Sequence, residues 1–220
     1  MTGGRCIAVG GHSRGIGKTA LTVELVRSLG WDRVVTVKVS AHRHGGGVGA
    51  LIEDFEPSLA TSTGRCLMAG ARRAFLCRCP DAALHEAVAL VESLRRKGWD
   101  VVVESNRLAA SITPDVTLFV VSDRTEDWKA SSAPCVSRAD ALVLSHGTHV
   151  VPARAMSPVG LHRRGQVEVF AFDAAWRVPR LAAWVRTRCA TRSSDTVPRA
   201  HFEACYTAVD VCATAAPSPS

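Results

Sequence analysis

One short stretch near the start of the chain combines glycines, a lysine and a hydroxyl at spacings suited to gripping phosphate: Gly11-His12-Ser13-Arg14-Gly15-Ile16-Gly17-Lys18-Thr19. Gly15 and Gly17 let the backbone bend so that successive N–H groups point inward as a nest for anionic oxygens. A helix opening near Gly17 adds its positive end to the same point. Lys18 is spaced to reach the β- and γ-phosphates of a nucleotide, and the Thr19 hydroxyl to bind Mg²⁺. Gly11, Ser13, Arg14 and Ile16 complete the expected set of nucleotide contacts. The common spacing is G-x-x-x-x-G-K-[ST], but its first position here is His12, and Gly11 stands one residue earlier. A lone G-K-T is weak evidence. The match gains weight from its context, an apolar strand before it and an amphipathic helix after it.

Two further positions could join such a site. Glu104 ends the apolar run Asp100-Val101-Val102-Val103, and a carboxylate at a strand end can hold Mg²⁺ or orient a nucleophile. Lys38 is embedded between Val37 and Val39 and needs an anionic partner, unless it snorkels to water. Lys18, Lys38 and Glu104 are therefore the expected catalytic set, with Thr19 and Glu104 as the metal pair. His42 and His44 sit beside Gly45-Gly46-Gly47, in a loop where they are either solvated or in contact with substrate. Thr61-Ser62-Thr63-Gly64-Arg65 with Ala69-Gly70-Ala71-Arg72 reads equally as an anion site or as the capped start of a helix. Trp128-Lys129-Ala130-Ser131 reads as a loop. No N-K-x-D element follows the later strands, so guanine specificity has no visible anchor.

The elements that must position these residues are legible in outline. Cys6–Val9 reads as a buried strand. A helix follows from Gly17 to Leu29, with Leu21, Leu25 and Leu29 on one face and Gly30 as its stop. Val34–Val39, Ala74–Cys77, Asp100–Glu104, Val116–Val121, Ala141–Leu144 and Val167–Phe170 read as further strands. Asp81 is the expected N-cap of a helix with Leu84, Val88, Val91 and Leu94 as its apolar stripe, closed by Gly98. A last helix is expected over Leu181–Arg188. Apolar runs alternating with helices argue for an α/β fold, a mostly parallel, doubly wound sheet with helices on both faces. The expected domains are residues 1–190, binding nucleotide, and a C-terminal extension over 191–220 whose end has a disordered composition.

Bulk properties narrow the classes. The chain has 220 residues, a formal charge of +7 and 5% aromatics. Its basic residues are dispersed and no base-stacking motif is present, so no nucleic-acid partner is expected. No run nears the length needed to span a bilayer, and no secretory signal is evident, so no membrane partner and a cytoplasmic location are expected. None of the eight cysteines forms a C-x-x-C pair. Cys77 and Cys79 would share one face of a strand, and all eight read as reduced thiols.

The loop Val9–Thr19, with Gly10 and Gly11 ahead of it, resembles the phosphate loop of the molybdopterin-guanine dinucleotide biosynthesis protein B family of P-loop NTPases. Its expanded spacing is also similar to that of dethiobiotin synthetase and cobyrinic acid a,c-diamide synthase. Lys38 with His42 and His44, the stretch Arg65–Ala71 and the strand Val101–Glu104 resemble family segments in the same order. Ser105-Asn106 and Pro114-Asp115 resemble a stand-alone subgroup, although the family usually has glycine where this chain has Ser105. The resemblance spans roughly residues 5–145. It implies a P-loop fold, GTP or ATP as ligand with Mg²⁺, weak NTPase activity, and an accessory role in attaching a nucleotide to molybdopterin, often as a homodimer. An ATP-dependent ligase or kinase acting on a small anionic metabolite is the first alternative. A non-enzymatic, nucleotide-gated binding switch is the second.

Overall fold

The computed structural model describes residues 3–40, 50–125, 127–156 and 167–194. His42, His44, the Gly45–Gly47 run and residues 195–220 lie outside the described residues. Eight strands form one sheet: β1 (Cys6–Gly11), β2 (Val34–Ser40), β3 (Ala50–Asp54), β4 (Arg73–Arg78), β5 (Asp100–Glu104), β6 (Val116–Val121), β7 (Ala141–Leu144) and β8 (Glu168–Ala171). Their order is β3-β4-β2-β5-β1-β6-β7-β8. Every pairing is parallel except β3 with β4.

The α-helices among the described residues are α1 (Lys18–Leu29), α2 (Ser62–Met68), α3 (Leu84–Arg96), α4 (Asn106–Ser111), α5 (Ala133–Val136) and α6 (Leu181–Ser194). They cover both faces, as alternation along β1 shows. Ile7 and Val9 enter the cluster packed by α1, α2 and α6. Cys6 and Ala8 point the other way, into the clusters packed by α3, α4 and α5. The period of two in the strand thus splits its apolar residues between two cores, which is why the run is continuous rather than alternating. This is an α/β fold, a mostly parallel, doubly wound sheet with helices on both faces.

Sequence and structure agree closely for the central strands and α1. Leu21, Leu25 and Leu29 are buried, and Gly17 and Gly30 bracket the helix in left-handed backbone at φ 104° and 63°. Several elements differ from expectation. β3 is an added antiparallel edge that carries no long apolar run. Asp81 does not cap α3: a 3-10 turn over Asp81–Ala83 intervenes, and Asp81 instead pairs with Arg107. The Thr61 segment is a capped helix start, its hydroxyl accepting from the Gly64 amide at 2.9 Å. α6 runs to Ser194, beyond Arg188 and across the boundary drawn at residue 190.

Cys77 and Cys79 do share a side of the fold, both buried in the cluster with α3. Burial pushes the Cys77 thiol up to about 12, so it is a packed, unreactive group. Among the described residues no cluster of His, Cys, Asp and Glu could hold a metal by itself. No described helix is long and apolar enough to cross a membrane.

Candidate functional site

The carboxyl ends of β1, β2 and β5 meet at one edge of the sheet, where α/β folds place ligands. Parallel pairing of β2 with β5 sets Lys38 opposite Glu104, and pairing of β5 with β1 sets Glu104 opposite Val9. Two charged residues at the ends of apolar strands are thereby brought to the mouth of the loop that follows β1.

At that mouth three side chains interlock, with Lys18 beside them. The Lys38 ammonium lies 2.9 Å from Glu104 Oε1 and 3.1 Å from the Thr19 hydroxyl, while that hydroxyl donates to Glu104 Oε1 at 3.0 Å. Lys18 turns back and donates from Nζ to the Ser13 carbonyl. The only carboxylate in the cluster is buried, at 6% exposure. Burial, ahead of the repulsion from Lys129 and Lys38, lowers Lys18 from 10.5 to about 8, with Glu104 pulling the other way. The first turn of α1 has neither a side-chain cap nor an acid. Its amides and its dipole are left for an anion to satisfy.

The oxygen pair of Thr19 and Glu104 fits Mg²⁺. A hydroxyl and one carboxylate are hard donors, and Mg²⁺ characteristically takes one or two protein oxygens and completes its shell with phosphate and water. The Lys38 ammonium contacts both oxygens. Thr19 and Glu104 would hold the ion, which would screen charge on the phosphates.

An open cavity of about 600 Å³ runs along the loop. Of the sequence-predicted residues, Arg14, Gly15, Gly17, Lys18, Thr19, Lys38 and Glu104 line it. Gly11, Ser13 and Ile16 do not. The Ile16 side chain packs in the core with α1, and Ser13 is buried. The Gly11 amide is committed elsewhere, donating to Asn106 Oδ1 at 2.8 Å, while Asn106 Nδ2 donates to the Gly11 carbonyl at 2.9 Å. This two-point grip from the start of α4 fixes the exit of β1. A side chain at Gly11 would also stand 2.8 Å from Ile16 Cδ1, so the glycine serves packing under the loop.

His12, where the usual motif has its first glycine, is fully buried. Its Nε2 accepts from the Ser122 amide at 2.9 Å, its carbonyl accepts from the Lys129 amide at 3.0 Å, and its ring stacks on Trp128 at 4.7 Å. Burial lowers its pKa, which keeps the ring neutral and Nε2 an acceptor. The expanded loop is thus anchored to the chain after β6 through a residue the common motif lacks.

Sequence reading missed several lining residues. Lys129 and Ser131, read as loop, and Asn106, Arg107 and Trp176 all border the cavity. Lys129 sits two residues past a hydrophilic stretch with no pattern of its own, and only its tie to His12 brings it to the loop. Arg65 was one of two open readings. It lies on a capped helix and also reaches the cavity.

The fold and this loop define the class: an α/β protein with a phosphate-loop site at the carboxyl edge of its sheet. No family model matches the sequence, and neither does any curated protein. Among solved structures, the chain is similar to LpxK from Aquifex aeolicus, determined in complex with ATP. The identity is 17% and the TM-score 0.46, over 76% of this chain and 53% of that one. This chain thus spans about half the length of LpxK, and no residue role follows from the likeness.

Proposed function

We propose that the protein is a Mg²⁺-dependent binder of GTP or ATP with weak NTPase activity. The observation that carries this reading is the interlocked Thr19, Lys38 and Glu104, with Lys18 beside them, at the uncapped start of α1. Among the described residues the cavity there presents the basic side chains Arg14, Lys18, Lys38, Arg65, Arg107 and Lys129, and the acid Glu104. Loop amides, Lys18 and Lys38 would offset phosphate charge, and Thr19 and Glu104 would hold Mg²⁺, which would neutralise charge on the β- and γ-phosphates. In turnover, Glu104 would orient the attacking group. The resemblance of the loop and of the Lys38 and Glu104 segments supports an accessory role in molybdopterin guanine dinucleotide formation.

The test is binding of fluorescent ATP and GTP analogues, with and without Mg²⁺, to the wild type and Lys18→Ala. Mg²⁺-dependent binding lost in the variant is expected. Absence of binding to the wild type would refute the reading.

A second reading, transfer to a small anionic metabolite by a ligase or kinase, draws on one observation. Arg65 and Arg107 line the cavity beyond what a triphosphate requires. ATP turnover that depends on an added metabolite and disappears in Lys38→Ala would favour it. Nucleotide binding without such turnover would count against it.

A further inference from the structure

The phosphate loop accounts for one part of the cavity, and one of its walls has a different character. Trp176 borders the same cavity, from the connection between β8 and α6. It is 45% exposed, an unusual state for the largest side chain. It also holds left-handed backbone at φ 57°, which a bulky residue adopts only when its surroundings force it.

The surroundings do force it. The Asp173 carboxylate accepts from the amides of Ala175 and Arg177, both at 2.9 Å. The Asp173 backbone closes the same turn, its amide donating to the Arg177 carbonyl at 2.9 Å and its carbonyl accepting from the Trp176 amide at 3.1 Å. Arg177 Nε then bonds both oxygens of Glu24 on α1, at 3.0 and 2.9 Å, where Glu24 is only 4% exposed. The turn is therefore bolted to the very helix whose first residues carry the phosphate loop. His146 stacks on the Trp176 ring at 4.7 Å and 10°, and Phe172 supports it at 5.5 Å. His146 itself does not line the cavity, whereas Trp176 does. The ring reaches the loop itself: a Cβ on Gly17 would stand 3.7 Å from Trp176 Cζ3.

Direction along the sheet completes the argument. Glu104 and Lys38 lie on β5 and β2, to one side of β1. Trp176 and His146 follow β8 and β7, on the other side. A nucleotide with its terminal phosphate beside Glu104 and its chain laid past Gly17 would bring its base to Trp176.

We propose that Trp176, backed by His146 and held to α1 by Arg177–Glu24, is a rigid stacking platform for the purine base of the bound nucleoside triphosphate. This inference rests on the nucleotide-binding reading and adds the base subsite. Stacking on a π face does not itself discriminate adenine from guanine, which agrees with the lack of an N-K-x-D element.

The full-length protein would be titrated with Mg-ATP, Mg-GTP and Mg-tripolyphosphate, the last carrying phosphates and no base. Trp176→Ala is expected to weaken the purine nucleotides by about tenfold and to leave tripolyphosphate unchanged. Trp176→Phe keeps a stacking face and should retain most of the affinity, while losing the nucleotide-induced quench of tryptophan fluorescence. Matching thermal melts would show that both variants fold. Equal nucleotide affinity in wild type and Trp176→Ala, or a quench that survives in Trp176→Phe, would overturn the platform and leave the phosphate site standing. Failure of the wild type to bind tripolyphosphate or either nucleotide would overturn the underlying reading, and the platform with it.

Discussion

Lys18 is a charge that the fold holds at a loss. Burial brings its pKa from 10.5 to about 8. The unfolded chain keeps this proton up to about pH 10.5, whereas the folded chain releases it near pH 8. Below pH 8 the folded state carries the whole penalty, roughly 3 kcal/mol from a shift of this size. Between pH 8 and 10.5 the penalty fades, so this group makes stability rise with pH. Lys18→Met keeps the aliphatic stem and removes the charge. It also removes the hydrogen bond to the Ser13 carbonyl, worth about 1 kcal/mol. Without nucleotide, the variant should therefore be more stable than the wild type by about 2 kcal/mol at pH 7, a rise in Tm of roughly 4–8 °C. The advantage should vanish as the pH approaches 10. The same variant should gain no stability from Mg-ATP or Mg-GTP, because the group that meets the phosphates is gone. Urea unfolding at pH 7 and pH 10, with and without nucleotide, reads all of this. A Lys18→Met protein less stable than the wild type at pH 7, with an unchanged m-value, would refute the reasoning.

Three further outcomes are expected. Triphosphate affinity should fall about tenfold from pH 7 to pH 9, because free Lys18 loses its proton near 8 while phosphate holds the proton on in the complex; titration calorimetry showing a flat profile would contradict this. Glu104→Gln strips Lys38 and Thr19 of their shared carboxylate partner, so Mg²⁺ should no longer improve nucleotide affinity; an unchanged Mg²⁺ dependence in equilibrium binding would remove Glu104 from the metal pair. Asn106→Ala leaves both backbone groups of buried Gly11 without their partner and should destabilise the fold by roughly 2–4 kcal/mol; a denaturation midpoint equal to that of the wild type would show that the grip on β1 is dispensable.

The parts of this protein that the sequence alone determined are those governed by neighbours in the chain. The buried strands announce themselves as β-branched runs. The phosphate loop is written in its glycines, since Gly15 and Gly17 take left-handed backbone at φ 72° and 104°. Leu21, Leu25 and Leu29 define the buried face of α1. Lys38 and Glu104 stood out as charges ending apolar strands, which is a local anomaly. What the tertiary structure decided depends on groups far apart in sequence. Asn106 grips Gly11 across 95 positions, and His12 meets Ser122 across 110. Arg177 reaches Glu24 across 153 and so fixes Trp176 beside the loop. Asp81 has the residue type of a helix cap, yet its carboxylate goes to Arg107 on another helix. β3 pairs antiparallel at the sheet edge, where no long apolar run is needed because burial is incomplete. Local backbone preference and burial leave a mark on composition and periodicity. A hydrogen bond or a stacked ring between distant segments leaves none, because either partner would be an ordinary polar or aromatic residue anywhere else in the chain.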